Sequence, residues 1–245
     1  MRLRRLFVEE PLAGRSKLRL RGSAARHAGT VLRLRPGDPV RVFDGLGGEY
    51  AATVEKAVKH DVRLALGRFF AERAAPVLRA TLWQGLARGE RMDFTIQKAT
   101  ELGVESIVPI LTRRSVVRLP AERATRRRRH WQALAAAAAE QSGRTRVPAV
   151  HEPAPLETQL GESRDSALDL ILEPDAPVSL ARLPHDGPGA LTLLAGPEGG
   201  FEETERALIR AAGFRAVGLG PRVLRTETAA IVALSIIQAR WGDLR

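Results

Sequence analysis

The 245-residue chain contains no cysteine. That excludes disulfides, thiolate metal sites and cysteine nucleophiles, and it fits a reducing cytosol, so a cytoplasmic location is expected. Aromatic residues are only 4% of the chain against 44% hydrophobic residues, so the core must be aliphatic. The longest uncharged apolar stretch near the end, Thr228 to Ala239, is 12 residues long. A bilayer needs about 20, so no membrane partner is expected. The start, Met1-Arg2-Leu3-Arg4-Arg5, lacks the apolar run of a signal peptide. Five scattered histidines form no ligand pattern, so no metal is expected. There is no internal repeat and no low-complexity tract.

What is present in excess is positive charge, +11 at neutral pH, which points to a polyanionic partner. The charge is segregated. Residues 1–73 hold 16 Lys+Arg against 8 Asp+Glu, and residues 113–146 hold 10 against 2, a balance of +8 in each. Residues 74–112 hold 4 of each, and residues 147–245 hold 9 basic against 14 acidic groups, a balance of −5. An arginine-rich proteome explains the preference for Arg over Lys but not this segregation.

The first 73 residues read as short strands with tight turns: Leu6 to Val8, Lys17 to Leu20, Val40 to Phe43, Tyr50 to Val54 and Val62 to Gly67. Arg35-Pro36-Gly37-Asp38 and Asp44-Gly45-Leu46-Gly47-Gly48 are turn chemistry, and His27 to Leu32 reads as one short helix. This is the pattern of a small β-barrel, with a junction near Phe70 to Pro76. From residue 74 to 245 strands and helices alternate, which argues for an α/β fold with a parallel sheet and flanking helices. Strands are expected at Leu78 to Leu86, Val104 to Leu111, Leu168 to Leu172, Leu191 to Ala195 and Phe214 to Leu219. Helices are expected at Arg91 to Leu102, Pro120 to Ser142, Glu202 to Ala212 and Glu227 to Trp241, with Gly103 ending the first and Thr226 capping the last.

Two glycine-bearing loops follow strands of this sheet. Gly196-Pro197-Glu198-Gly199-Gly200-Phe201 leads from an apolar run into an acidic helix start. It lacks the Gly-Lys-Ser/Thr ending of a phosphate loop and the spacing of a dinucleotide site, and Glu198 would repel phosphate. A ligand without phosphate, met by backbone at close approach, suits it better, and S-adenosylmethionine fits. Alone, the loop reads rather as a plain tight turn after a strand. Leu219-Gly220-Pro221-Arg222-Val223-Leu224-Arg225-Thr226-Glu227-Thr228 is the second loop. Capping accounts for Thr226 and Glu227 but leaves Arg225, a cation at a helix N-terminus, without a purpose.

With Ile96-Gln97-Lys98-Ala99-Thr100-Glu101-Leu102-Gly103-Val104, Glu140-Gln141-Ser142-Gly143-Arg144, and His27 with Val31-Leu32-Arg33, these loops resemble the RsmE family. These are bacterial 16S rRNA uridine-N3 methyltransferases of the SPOUT superfamily. The resemblance implies a PUA-like RNA-binding barrel over residues 1–73 and a SPOUT domain over residues 74–245. It also implies a trefoil knot in the parallel sheet, which physical reading alone would not propose. S-adenosylmethionine as cofactor, 16S rRNA in the small ribosomal subunit as partner, and a homodimer come with it.

Arg225 is expected to stabilise charge on uracil. Glu227 is expected either to orient it or accept the proton, or else to serve as a structural cap. The cofactor is expected against Leu172, Glu173, Leu194, Ala195, Gly196, Glu198, Gly199, Gly200, Leu219, Gly220, Val223, Leu224 and Thr228. RNA phosphate is expected against Arg2, Arg4, Arg5, Arg19, Arg21, Arg126 and Arg129. Lys98 is either part of the RNA or dimer surface or merely a surface partner of Glu101. The rivals are a SPOUT enzyme acting at another position and a non-catalytic RNA-binding assembly factor.

Overall fold

The structure, a computed structural model, describes residues 3–58, 61–72, 77–115, 121–184 and 186–244. Arg2 and Pro120 lie outside the described residues, as does most of the expected junction. The chain divides into two units, Met1–Ala75 with Ala139–Val147, and Pro76–Ala138 with Pro148–Arg245.

The first unit holds β1 (Arg4–Phe7), β2 (Lys17–Leu20), α1 (Gly22–Arg26) running into a π turn (His27–Val31), β3 (Pro39–Phe43), β4 (Glu49–Val58) and β5 (Asp61–Phe70). The strands lie in the order β1-β3-β4-β5-β2, with β1 and β3 parallel and the other pairs antiparallel. Alternation places Leu18, Leu20, Val40, Val42, Ala52, Val54, Val62 and Leu64 in one core. The helix expected at His27 starts upstream, at Gly22, because Ala25 and Ala28 are both buried in that core.

The motif Glu140 to Arg144 belongs to this unit and supports β1. The Glu140 carboxylate accepts the Phe7 N–H at 3.0 Å and meets His27 Nε2 at 3.2 Å. The Arg5 guanidinium donates to the carbonyls of Ala139, Glu140 and Arg144 and pairs with Glu49 at 3.0 Å.

The second unit runs β6 (Arg79–Gly85), α2 (Glu90–Glu101), β7 (Ser106–Leu111), α3 (Ala121–Ser142, its last turn counted in the first unit), β8 (Ala149–Val150) and β9 (Ala154–Pro155). It continues with α4 (Leu156–Gly161), β10 (Leu168–Leu172), β11 (Ala190–Ala195), α5 (Glu203–Ala211), β12 (Arg215–Val217) and α6 (Thr226–Trp241). The strand order is β12-β10-β11-β6-β7-β8, with β9 also on β7, and every pair is parallel. All six residues of β11 are buried, which is why it reads as an unbroken apolar run. β8, β9 and α4 have no counterpart in the sequence reading: two-residue strands carry no period to detect.

α2 buries Met92, Thr95, Ile96, Ala99 and Thr100, a 3.6-residue stripe, and packs on α6. Gly103 ends it at φ +86°, the left-handed conformation that glycine adopts without strain.

One feature of the strand order positions a site. After β6 the chain crosses to β7, on one side. After β11, the neighbour of β6 on the other side, it crosses away to β12. The carboxyl ends of the strands beside this reversal of direction are where open parallel sheets take ligands.

Candidate functional site

A cavity of about 440 Å³ opens at the carboxyl ends of β10, β11 and β12. That volume falls in the range of about 300–1,000 Å³ typical of small-molecule sites. Four chain segments line it: Leu172 to Pro174 after β10, Ala195 to Glu198 with Gly200 and Phe201 after β11, Val217 to Thr226 after β12, and Arg91 from α2. Arg206 of α5 and Ala229 of α6 complete the wall.

Three local arrangements hold the loops in place. Gly85, the last residue of β6, lies so near the loop after β11 that an added Cβ would sit 2.4 Å from the Pro197 nitrogen. Thr226 then bridges the same two segments. Its hydroxyl donates to the Gly196 carbonyl and accepts from Gln84 Nε2 at 2.9 Å. Gln84 is fully buried, and its amide also donates to the Gly85 carbonyl. Thr226 is therefore no N-cap. Arg225 holds that position without a side-chain cap, and the Thr226 hydroxyl points back to the sheet.

The third arrangement is a clamp. The Glu198 carboxylate accepts the Arg88 N–H at 3.0 Å and the Arg91 guanidinium at 2.8 Å. Partial burial acts to raise the Glu198 pKa. The backbone N–H groups of Arg88 and of Glu198 itself, together with the Arg91 guanidinium, outweigh burial and hold it below the usual carboxylate range.

Of the expected cofactor residues, Leu172, Glu173, Ala195, Gly196, Glu198, Gly200, Leu219, Gly220, Val223 and Leu224 line the cavity. Leu194, Gly199 and Thr228 do not. Leu194 points from β11 into the core with Trp83, Ile171 and Phe201. Gly199 turns toward Arg114, whose Cβ would lie 3.0 Å from an added Cβ and whose guanidinium donates to the Gly199 carbonyl. Thr228 is exposed on the first turn of α6. Arg225 lines the cavity, whereas Glu227 stands outside it with Oε2 buried and without a hydrogen-bond partner.

Arg91, Phe201 and Arg206 escaped sequence reasoning as lining residues. Arg91 lies on α2, about a hundred residues from either loop in sequence; Arg206 follows the first loop closely, but only the α5 helix turns its side chain inward, and Phe201 was read only as the end of the loop motif. Cavity charges come as pairs and singles. Arg91 meets Glu198, and Arg206 Nε lies 3.5 Å from Glu173 Oε1. The guanidiniums of Arg222 and Arg225 are exposed, and neither makes a hydrogen bond or ion pair among the described residues.

The expected phosphate contacts differ in freedom. Arg5 is committed to the internal network around β1, so its charge is spent on holding that strand. Arg4 lies 3.7 Å from Asp38, and Arg19 pairs with Asp61 at 2.5 Å. Arg21, Arg126 and Arg129 are exposed. Lys98 donates to Glu101 at 2.8 Å, the surface pair its spacing implied. Among the described residues no helix is long and apolar enough to cross a membrane, and no group of three or more His, Asp or Glu is placed to hold a metal.

Comparison with known proteins bears on this site. A family described as an RNA methyltransferase domain matches residues 73–238, and an RNA methyltransferase PUA domain matches residues 20–66. Ribosomal RNA small subunit methyltransferase E of Mycobacterium tuberculosis is 34% identical over 90% of this chain and 86% of its own length. The Bacillus subtilis protein of the same name is 28% identical over 99% of both chains. Among solved structures, ribosomal RNA small subunit methyltransferase E from Neisseria gonorrhoeae, bound to S-adenosyl methionine, superposes with a TM-score of 0.91 at 35% identity over the whole of both chains. A Legionella pneumophila methyltransferase structure in complex with SAM superposes at 0.94, also with 35% identity over both whole chains.

Proposed function

The chain belongs to the RNA methyltransferase family of ribosomal RNA small subunit methyltransferase E, and from that premise we propose that it transfers a methyl group from S-adenosylmethionine to N3 of a uridine in the decoding region of 16S rRNA. The substrate on this reading is the assembled small subunit, and the active form is a homodimer with a trefoil knot in its parallel sheet. Residues 1–73 serve RNA binding and residues 74–245 the chemistry.

The observation that carries the reading is the cavity at the carboxyl ends of β10, β11 and β12. Its residues suit the cofactor. Leu172, Leu219, Leu224 and Phe201 offer apolar surface for a base, the glycine loops offer backbone groups, and the carboxylates of Glu173 and Glu198 lie on the wall. When bound there, the cofactor supplies an electrophilic methyl group on a sulfonium.

The chain's own contribution is position and charge. Holding two reactants in line supplies about 7 kcal/mol or more of such a barrier. On this reading Arg225, exposed on the cavity wall and without a partner among the described residues, meets the negative charge that grows on the uracil oxygens as the N3 proton leaves. Glu227 is outside the cavity lining, on the first turn of α6 where a carboxylate favours the helix dipole. Glu227 makes no capping hydrogen bond, so the structural role it can fill is that of a favourable charge at the helix start, and on this reading it does not take the proton.

The deciding experiment incubates the protein and S-adenosylmethionine with small subunits from a strain lacking the enzyme, then identifies nucleosides from the rRNA by mass spectrometry. N3-methyluridine is the expected product. Another methylated nucleoside, or none, overturns the reading.

A further inference from the structure

Six charged side chains line the cavity, four arginines and two glutamates. Arg91 is tied to Glu198 and Arg206 faces Glu173, which leaves Arg222 and Arg225 as two guanidiniums without a partner among the described residues. Both are exposed, and they stand three residues apart in the segment between Gly220, at φ +106°, and the start of α6. That start has no side-chain cap, so the first backbone N–H groups of a 16-residue helix add their partial positive charge to the same place. Two cations beside a helix N-terminus are mutually unfavourable, and Glu227, the acidic residue of the first turn of α6, pairs with neither among the described residues. The arrangement makes physical sense once an anion enters it. The cofactor does not relieve the surplus, because S-adenosylmethionine itself carries net positive charge at neutral pH.

We propose that Arg222 is a positioning residue that holds a backbone phosphate of the RNA beside the target uridine, leaving Arg225 free to meet the base. The inference rests on the reading of the chain as an rRNA methyltransferase and adds the group that fixes the nucleotide over the cavity mouth. A phosphate there offsets the positive surplus of Arg222 and the α6 N-terminus together, and it sets the distance from the RNA backbone to the cofactor pocket. A guanidinium suits this task because it presents two parallel N–H donors to a phosphate.

The test measures binding of Arg222→Ala, Arg222→Lys and the unaltered protein to small subunits from a strain lacking the enzyme, as a function of salt. Steady-state methylation of the same subunits and calorimetry with S-adenosylmethionine alone accompany it. One phosphate contact corresponds to about one unit in the slope of log affinity against log salt, so Arg222→Ala is expected to lower the slope by about that amount. RNA affinity is expected to fall about tenfold at moderate salt, the loss appearing in KM for the subunit, while S-adenosylmethionine affinity holds. Arg222→Lys keeps the charge and is expected to restore the slope.

An unchanged slope overturns the proposal. So does a loss confined to kcat, which would place Arg222 against the base, and so does a matching loss of cofactor affinity, which would place it against the cofactor's carboxylate. The slope needs no turnover. A chain that binds subunits but transfers no methyl therefore overturns the catalytic reading, while the slope still decides the role of Arg222.

Discussion

Thr226 accepts from Gln84 and donates to Gly196, so its replacement separates a bracket from a cap. Thr226→Val removes both bonds and leaves the buried Gln84 amide short of a partner, an expected cost of about 1–3 kcal/mol in unfolding free energy, with weaker S-adenosylmethionine binding. Thr226→Ser restores both, since it keeps the hydroxyl; equal behaviour of Val and Ser in denaturant titration and calorimetry would refute the bracket. Arg225→Ala is expected to slow single-turnover methylation by about 100-fold or more with cofactor affinity intact, and Glu227→Gln to leave the chemical step close to its original rate. A Glu227→Gln rate as low as that of Arg225→Ala would reinstate Glu227 as proton acceptor. Glu198 carries a pH dependence. Its pKa is lowered in the folded protein, so its contribution is whole above the ordinary value of 4.5 and is lost as pH falls through the lowered one. Cofactor affinity should therefore hold down to mildly acidic pH and then drop, and Glu198→Gln should be weaker at neutral pH and lack that drop. At this scale the glycine loops were legible from their residues, but the side each residue faces was not. Leu194 and Ala195 are adjacent on one strand, and only the pleat of β11 against its neighbours sends one to the core and the other to the cavity.

Between elements the decisive contact is the close approach of β6 to the loop after β11. A methyl group at Gly85 would overlap Pro197, and neither partner is the far end of a flexible side chain. Gly85→Ala is therefore expected to push the loop outward, lowering the melting temperature and weakening S-adenosylmethionine binding at least tenfold, by more than Gly200→Ala, where an added Cβ meets nothing within 4 Å and only the φ of +66° is strained. Comparable affinities for the two variants would show that the approach is not needed. The long elements of this fold were readable from sequence because period and punctuation agreed. α2 shows a 3.6-residue stripe closed by Gly103, and β10 fell at the expected residues, Leu168–Leu172. The segment Glu140 to Arg144 was recognisable as a motif but not interpretable. Its partners, Phe7, His27 and Arg5, lie more than 110 residues away in sequence.

For the whole molecule, the separation of charge sets how it meets RNA. The basic residues of segments 1–73 and 113–146 predict affinity for small subunits that falls steeply and linearly with log salt, while S-adenosylmethionine binding in the acidic C-terminal part changes little. A flat salt response, measured by filter binding, would remove the electrostatic reading, and sedimentation at micromolar concentration should give twice the chain mass if the homodimer is right. The sequence by itself determined the kind of molecule this is: no disulfides, an aliphatic core, strands followed by alternating strands and helices, and two glycine loops placed after apolar strands. Those properties follow from local composition and period, which a single segment carries on its own. The tertiary structure alone decided which residues form the cavity. Sheet order brings the ends of β10, β11 and β12 together with Arg91 and Arg206, and it shows Arg5 engaged with Glu49 while Arg222 and Arg225, on the cavity wall, have no partner among the described residues. Such relations depend on strand neighbours and helix faces distant along the chain, and neither spacing nor composition encodes them.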